Sequence, residues 1–265
     1  MGKLNAKLSQ KDMAEMADPG EADQTPPRKR GRPPKAAPGK GEAASVLSRE
    51  QILDKAIELA RVQPLSEISM VGLARELGVA PALIHYYIGS RDDLISGVAN
   101  LYFKALMAGM PPLTGDWETD LWQGAHQSFR MGVEYGGVLR YMMSNNRFRL
   151  FQQVPPGEID YGVLYLDWLA SVFRSGGFSP EQSATGFHLL SLYVMSSSYS
   201  EVSRQLPSFH QRYIRGQVEA HPANEVEHAR FFIGAFAALD SATAFPAGLR
   251  ILIDGFRSWL TGGRP

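Results

Sequence analysis

The sequence predicts an all-α fold in which a three-helix helix-turn-helix unit precedes a larger helical domain. Apolar residues recur at spacings of three and four from residue 48 onwards, and helix start and stop signals separate the segments. Residues 70–91 are typical of two short helices joined by a tight glycine turn. We therefore expect three parts, over residues 1–46, 47–95 and 96–265.

The first predicted helix begins after Ser48, because Ser48 and Gln51 have the spacing of a capping box. A second capping box, Ser90 with Asp93, predicts the start of a fourth helix. Gly89, directly before it, predicts the end of the preceding helix, since glycine accepts the backbone conformation that terminates helices.

Between these signals lie the two helices of the predicted helix-turn-helix. Gly78 allows the sharp turn, and Pro81 predicts the first position of the second helix, where a missing amide hydrogen costs nothing. Ala74 is small enough for the two helices to cross closely. The apolar residues expected to close the small core are Leu73, Leu77, Val79, Ile84 and Ile88.

The remaining chain reads as helices separated by proline and glycine clusters. The clearest junction has glycines at 176 and 177, then Ser179 as N-cap, Pro180 at the first helical position and Gln182 at the third. The predicted helices cover residues 90–110, 116–135, 137–145, 158–175, 180–205, 209–220, 224–238 and 246–261.

Composition excludes several classes of function. The chain has 265 residues, 44% of them hydrophobic, a formal net charge of zero and no cysteine, so it forms no disulfide and no thiolate metal site. It shows neither a signal peptide nor a transmembrane run, and a cytoplasmic location with no membrane partner is expected. No catalytic motif is present and the six histidines are scattered, so we expect no enzyme, no cofactor and no metal site.

The amino-terminal 46 residues are polar and basic in places, and this composition predicts a disordered arm. Its basic block, residues 28–35, resembles an AT-hook: Arg30 and Arg32 flank a glycine small enough for the floor of a narrow minor groove. The alternative is a solvated basic tail that binds phosphates indiscriminately. Residues 70–94 carry two basic and three acidic side chains, so we expect the arm to supply much of the non-specific binding energy.

Residues 69–79 (SMVGLARELGV), followed by HYY at 85–87 and SRDDL at 90–94, resemble the amino-terminal signature of the TetR family of repressors. The resemblance covers about residues 48–102. It implies a DNA-binding domain at 47–95 and a helical ligand-binding and dimerisation domain at 96–265.

The second helix of the predicted helix-turn-helix is expected to place its first turns in the major groove of double-stranded DNA. The small apolar side chains of these turns suit contact with thymine methyls. His85 or Tyr86 can form a hydrogen bond with a base edge. An alternative for His85 and Tyr86 is packing against the neighbouring helix. The predicted DNA-binding residues, beside those of the arm, are Ser69, Pro81, Ala82, Leu83, His85, Tyr86, Tyr87, Ser90 and Arg91.

Two of the predicted helices, residues 180–205 and 246–261, carry apolar stripes. Two copies of each helix are expected to form a four-helix bundle between two copies of the chain. Such a homodimer would present two helix-turn-helix units to a palindromic operator. The alternative is that both helices pack inside one monomer. The predicted interface residues are Phe187, Leu190, Val194, Leu249, Leu252, Ile253 and Phe256.

The helical domain is rich in aromatic residues and methionines, which are expected to line a cavity for a small apolar or aromatic ligand. The alternative is that they form ordinary core. The predicted ligand-binding residues are Phe129, Tyr141, Ser144, Asn145, Tyr165, Trp168 and Tyr193. The sequence thus favours a small-molecule-responsive repressor, and its rival is a ligand-independent architectural DNA-binding protein that uses the arm.

Overall fold

A computed structural model describes residues 47–144, 150 and 152–262. All regular structure in these ranges is helical, which confirms the predicted all-α fold. Two short 3-10 helices, Leu65–Glu67 and Pro207–His210, accompany eleven α-helices. The α-helices are α1 Arg49–Leu59, α2 Met70–Glu76, α3 Pro81–Ile88, α4 Arg91–Ala108, α5 Trp117–Glu134, α6 Gly136–Ser144, α7 Tyr161–Ser175, α8 Pro180–Val202, α9 Gln211–Glu219, α10 Glu227–Ala238 and α11 Ser241–Leu260.

Serine caps set the starts of α1, α4 and α8, as their spacing predicts. The amides of Gln51, Asp93 and Gln182 each donate to the hydroxyl of the cap serine at 3.2 Å. In all three, the third-position side chain accepts a hydrogen bond from the cap residue's amide in return. Each reciprocal pair satisfies two amides that the helix itself leaves without a partner.

The turn between α2 and α3 depends on Gly78, whose φ of 67° lies in the left-handed region. The amide of Val79 then donates to the carbonyl of Ala74 at 2.9 Å, which ends α2. Ala74 is buried where α2 and α3 meet. Pro81 occupies the first position of α3, and Ala80 before it supplies no side-chain cap. The predicted helix-turn-helix is therefore confirmed in its local geometry.

Two hydrophobic cores share the long helices. The first holds α1 to α4 together and continues into the ends of α5 and α6. The second lies among α5, α7, α8 and α11. Helix α4 is buried along most of its length. It therefore belongs as much to the larger helical domain, the body formed by α5 to α11, as to the helix-turn-helix unit. The described residues all fall within one compact unit, Val46–Pro265.

Helix α11 begins five residues earlier than the sequence predicts, and the expected start at Pro246 is wrong. The Asp240 carboxylate accepts the amide of Thr243 at 2.9 Å and caps the helix, so Pro246 lies inside it. Hydrogen bonds from the Thr243 side chain and amide lower the pKa of Asp240. Similarly, α7 begins at Tyr161 because Asp160 accepts the amides of Gly162 and Val163.

Among the described helices, none is long and apolar enough to cross a membrane alone. The bent pair Glu227–Ala238 and Ser241–Leu260, with an angle of 110° between its helices, satisfies the length and composition criteria only when the two are taken together. Helix α11 is instead attached to α5 by a bidentate pair, in which Arg257 donates to both Glu118 oxygens at 2.6 and 2.5 Å.

Candidate nucleic-acid interface and ligand cavity

The outer face of α3 is exposed while its inner face is buried. Ile84 and Ile88 lie in the first core, whereas the side chains on the other side face solvent. This division follows from the helical period, since residues four apart share a face. The exposed residues of this outer face are Pro81, Ala82, Leu83, His85 and Tyr86.

Tyr86 is 79% exposed and does not pack into the neighbouring helix. Its ring meets that of Tyr87 edge to face, with centroids 5.1 Å apart, while Tyr87 is half-buried against the first core. The Nδ1 atom of His85 lies 3.3 Å from the carbonyl oxygen of Gly89, at the end of the same helix. The structure therefore leaves the phenol of Tyr86 available to a partner.

Three of the predicted DNA-binding residues, Ser69, Ser90 and Arg91, lie at exposed helix starts. The Ser69 hydroxyl caps α2 by accepting the amide of Gly72 at 2.9 Å, and Ser90 caps α4. Arg91 donates to the carbonyl of Ser66, in the 3-10 turn before α2. Helix starts present amides that favour anions. Arg30 and Arg32, predicted for the minor groove, lie outside the described residues.

Asp93 is one of two acidic residues, with Asp92, in the first turn of α4. Hydrogen bonds from the Ser90 hydroxyl and amide lower the pKa of its carboxyl group. Because the folded-state pKa is below the unfolded one, the stabilisation is present above the unfolded pKa and is lost as the pH falls through the folded pKa. The cap therefore persists at neutral pH with Asp93 ionised.

Helix α1 is attached to the body at both ends, by contacts that were not predicted from the sequence. At its start, Arg49 forms an ion pair with Glu158 at 2.8 Å. Past its end, Arg61 pairs with Glu134 at 2.7 Å and donates to the Tyr135 hydroxyl at 2.9 Å. These pairs join residues 73 to 109 positions apart, and no local spacing signals such contacts.

A backbone contact strengthens the second attachment. The amide of Gly137, in the first turn of α6, donates to the carbonyl of Ala60 at 2.9 Å. A β-carbon at Gly137 would stand 1.9 Å from the carbonyl oxygen of Gln63. Only glycine therefore allows the backbone after α1 to approach α6 this closely.

A small cavity lies in the second core, among α5, α7 and α8. Its volume of about 10 Å³ is roughly that of one water-sized sphere. The lining residues are Gly124, Ala125, Ser128, Tyr165, Trp168, Leu169, Leu190, Ser191 and Val194. The rings of Tyr165 and Trp168 are the largest side chains of this lining.

Polar groups occur at isolated points of this cavity. The hydroxyls of Ser128 and Tyr165 are 3.3 Å apart. The buried Ser191 hydroxyl oxygen has no hydrogen-bond partner among the described residues. Burial raises the pKa of Tyr165, so its phenol is neutral near pH 7 and can donate. The lining of this cavity is therefore apolar, with a few hydroxyls.

Two of the predicted ligand-binding residues, Tyr165 and Trp168, line this cavity. Phe129 and Tyr193 instead stack on Phe245, with centroids 4.3 and 5.6 Å apart, and Tyr141 belongs to the first core. For these three, the ordinary-core alternative describes the packing. The Ser144 hydroxyl donates to the carbonyl of Arg140 at the end of α6, and Asn145 lies outside the described residues.

Small residues that were not predicted from the sequence make room for the rings. A β-carbon at Gly124 would lie 2.5 Å from the Trp168 ring, so this glycine lets α5 and α7 approach. Gly124 and Ser128 are four apart on α5, opposite Tyr165 and Trp168, three apart on α7. The helical spacing of the small residues on one segment and of the large residues on the other is the sequence pattern that could have predicted this close approach.

Most of the predicted dimer stripe is buried inside the single chain, and for those residues the prediction is wrong. They lie in the second core, so they cannot also contact a second copy: Leu190, Val194, Leu249, Ile253 and Phe256. Phe187 and Leu252 are partly buried against the same core. The outer faces of α8 and α11 carry other apolar residues, Leu189, Leu192 and Ile251, all exposed.

None of the described residues forms a cluster of three or more histidines or carboxylates that could hold a metal ion. No protein-family model matches the sequence. The chain is 30% identical over 73 residues to the HTH-type transcriptional regulator BetI of Brucella anthropi. This match covers 28% of the chain and 38% of the relative, so the chain spans under two fifths of that protein.

Solved structures agree over a much longer range. Apo ActR from Streptomyces coelicolor superimposes with a TM-score of 0.68 at 24% identity, covering 82% of this chain and 97% of ActR. ActR, a TetR family protein, in complex with actinorhodin gives 0.66 at 25% identity, covering 81% and 98%. A TetR variant from Acinetobacter baumannii in complex with minocycline gives 0.54 at 17% identity, covering 81% and 98%. The chain therefore has the fold of TetR family regulators.

Proposed function

We propose that this chain is a TetR family transcriptional regulator that binds a palindromic operator as a homodimer and releases it on binding a small aromatic ligand. The observation that carries the proposal is the exposed outer face of α3, on a helix-turn-helix unit in the fold of known TetR family regulators. The likeness to BetI, a regulator of the helix-turn-helix type, supports it independently in sequence.

DNA recognition is assigned to the outer face of α3. Ala82 and Leu83 offer apolar surface to thymine methyls, while Tyr86 and His85 reach base edges in the major groove. Ser69, Ser90 and Tyr87 lie around this face, where helix amino termini and hydroxyls meet phosphates. Operator footprinting tests the assignment: a regulator protects one palindrome, whereas the architectural alternative protects A·T-rich DNA broadly.

We expect Tyr86→Ala to weaken operator binding by about 10-fold, since a side chain that reads a base edge is worth about 1–3 kcal/mol. The free energy of unfolding should hardly change, because Tyr86 is mostly exposed. Titrations of wild type and variant with operator and with scrambled DNA measure the effect. Tyr213→Ala, an exposed tyrosine on α9, is the matched control and should bind as wild type. Equal losses on both DNAs would remove Tyr86 from sequence recognition.

The basic block at residues 28–35 is proposed to add affinity that the helix-turn-helix unit lacks. Its arginines either enter the minor groove or bind phosphates, as the sequence leaves open. We expect deletion of residues 1–46 to flatten the plot of log affinity against log salt by up to ~0.9 for each phosphate that the arm neutralises. An unchanged slope would exclude the arm from binding. Competition by A·T-rich against G·C-rich duplexes separates the two roles.

The ligand site is proposed to be the cavity lined by Trp168 and Tyr165. A ligand of this site must displace those rings, because the existing space holds about one water molecule. Ligand binding then shifts the protein toward the form in which the rings have moved, by the difference in affinity between the two forms. Operator release across a panel of small aromatic compounds tests this assignment.

Helices α4 and α5 are proposed to carry the response to the DNA-binding unit. Helix α4 is continuous from that unit into the body. Helix α5 lines the cavity at Gly124 and Ser128, and residues 134 and 135 at its carboxyl end bind Arg61, just past α1. A displacement of α5 by ligand therefore acts directly on the attachment of α1. Movement of α1 changes the distance between the two helix-turn-helix units of a dimer.

A further inference from the structure

We propose that the ligand of the cavity among α5, α7 and α8 is an uncharged aromatic molecule with a hydroxyl or carbonyl oxygen, and that Ser191 binds that oxygen. This inference rests on the ligand site proposed above and names the chemical class that the site accepts. It makes Ser191, on α8, a residue that determines specificity.

Ser191 lines the cavity, and its hydroxyl oxygen is buried. This oxygen has no hydrogen-bond partner among the described residues. A buried hydroxyl without a partner has lost its hydration and gained no bond in return, so almost all buried polar groups in folded proteins are paired. An oxygen atom of a ligand in the cavity would supply the missing hydrogen bond.

The helix that carries Ser191 could itself have satisfied the hydroxyl. Serine and threonine side chains inside a helix can donate to the carbonyl four residues earlier. Other side chains of α8 form this bond at 2.8 to 2.9 Å, namely Ser183, Thr185, Ser198 and Ser200. Ser191 does not, so its hydroxyl remains available to a group inside the cavity.

A pair of hydroxyls, those of Ser128 and Tyr165, offers a further polar contact. The two oxygens are 3.3 Å apart, so one hydroxyl hydrogen lies between them and the other can be donated to a ligand. A ligand carbonyl can accept from the pair or from Ser191, and a ligand hydroxyl can also donate. The rest of the lining is mainly apolar and suits an aromatic ring.

Within the described part of the chain, no charged side chain lines this cavity. Tyr165 is the ionisable group of the lining, and burial raises its pKa, so its phenol is neutral near pH 7. An ionised ligand would therefore be buried without a counter-charge, which costs far more than burying a neutral polar group. The site should reject carboxylates and ammonium ions of the same shape.

Phenol and toluene, two probes of similar size, test the role of Ser191 in calorimetric titrations of the full chain. We expect Ser191→Ala to weaken phenol binding by roughly 3- to 10-fold, the loss of one hydrogen bond, and to leave toluene binding unchanged. The matched control is Ser200→Ala on the same helix, because the Ser200 hydroxyl already donates to the carbonyl of Ser196 at 2.9 Å. It should bind both probes as wild type.

Thermal unfolding without any probe gives a second readout. We expect Ser191→Ala to unfold at a higher temperature than wild type, by about 2 °C, because the substitution removes a buried hydroxyl that has no partner. A serine with only a structural role would give the opposite sign. A lower unfolding temperature would therefore overturn the assignment of Ser191 to the ligand.

Charged probes of similar shape test the rest of the proposal. Benzoate and benzylammonium should bind wild type at least 100-fold more weakly than phenol does. Binding of either ion within 10-fold of phenol would overturn the uncharged class, and equal losses of phenol and toluene in Ser191→Ala would overturn the hydrogen bond. If neither phenol nor toluene binds wild type or Trp168→Ala, the proposed ligand site itself is wrong.

Discussion

Leu192→Asp is expected to convert the protein to monomers and to lower its operator affinity by about 100-fold or more. Leu192 is 53% exposed on the outer face of α8, so the substitution leaves the second core intact. In the proposed dimer, however, the new carboxylate would be buried in the interface without a counter-charge. A monomer has a single helix-turn-helix unit. It loses the gain in affinity that linking two such units provides, typically a factor of about 10² to 10⁴.

The control for this variant is Leu113→Asp, which introduces the same charge at a leucine of similar exposure, 49%, between α4 and α5. It should remain dimeric and bind operator as wild type. Sedimentation velocity gives the mass, and titration with a full palindrome and with a half-site gives the affinities. If Leu192→Asp stays dimeric, the outer faces of α8 and α11 are not the interface. Monomers that bind the palindrome with wild-type affinity would instead exclude a dimeric reader.

Trp168→Ala is expected to open the cavity and to make the protein respond to indole. Removing the ring should cost about 2 kcal/mol of unfolding free energy, below the range for a fully buried tryptophan because Trp168 is partly exposed. Indole at ten times its Kd should return about 1.4 kcal/mol. Thermal unfolding measures both effects, at roughly 2–4 °C per kcal/mol for a chain of this size.

The matched control is Trp122→Ala, since Trp122 packs against the second core without lining the cavity. Its ring contacts His126 and lies under the Arg250 guanidinium. This variant should lose stability and gain nothing from indole. Equal stabilisation of both variants by indole would indicate general surface binding. If indole leaves the unfolding temperature of Trp168→Ala unchanged, the space behind Trp168 is not a ligand site.

Local signals were sufficient for the DNA-binding unit. Capping boxes at Ser48 and Ser90 involve partners three residues apart, so the sequence contains the whole interaction. The same holds for the left-handed turn at Gly78. Pro246 misled because proline is common at helix starts, whereas the cap at Asp240 decided where α11 begins.

The ligand cavity could be predicted only in part. Tyr165 and Trp168 were identified as aromatic residues in a helical domain, yet Phe129 and Tyr193 have the same character and pack on Phe245 instead. What distinguishes the two pairs is the space opposite each ring. Gly124 provides that space for Trp168, and its contribution depends on how closely α5 approaches α7.

The helical class of the chain, the ends of most helices and the apolar face of each helix all follow from the amino-acid sequence alone. What each apolar face meets depends on the folded chain. The stripe with Leu249 and Ile253 belongs to the chain's own core, while Phe231 faces solvent. Periodicity records the direction of a side chain from its helix axis, and caps act across three residues. Burial and pairs such as Arg61 with Glu134 depend on segments distant in sequence, which no local pattern specifies.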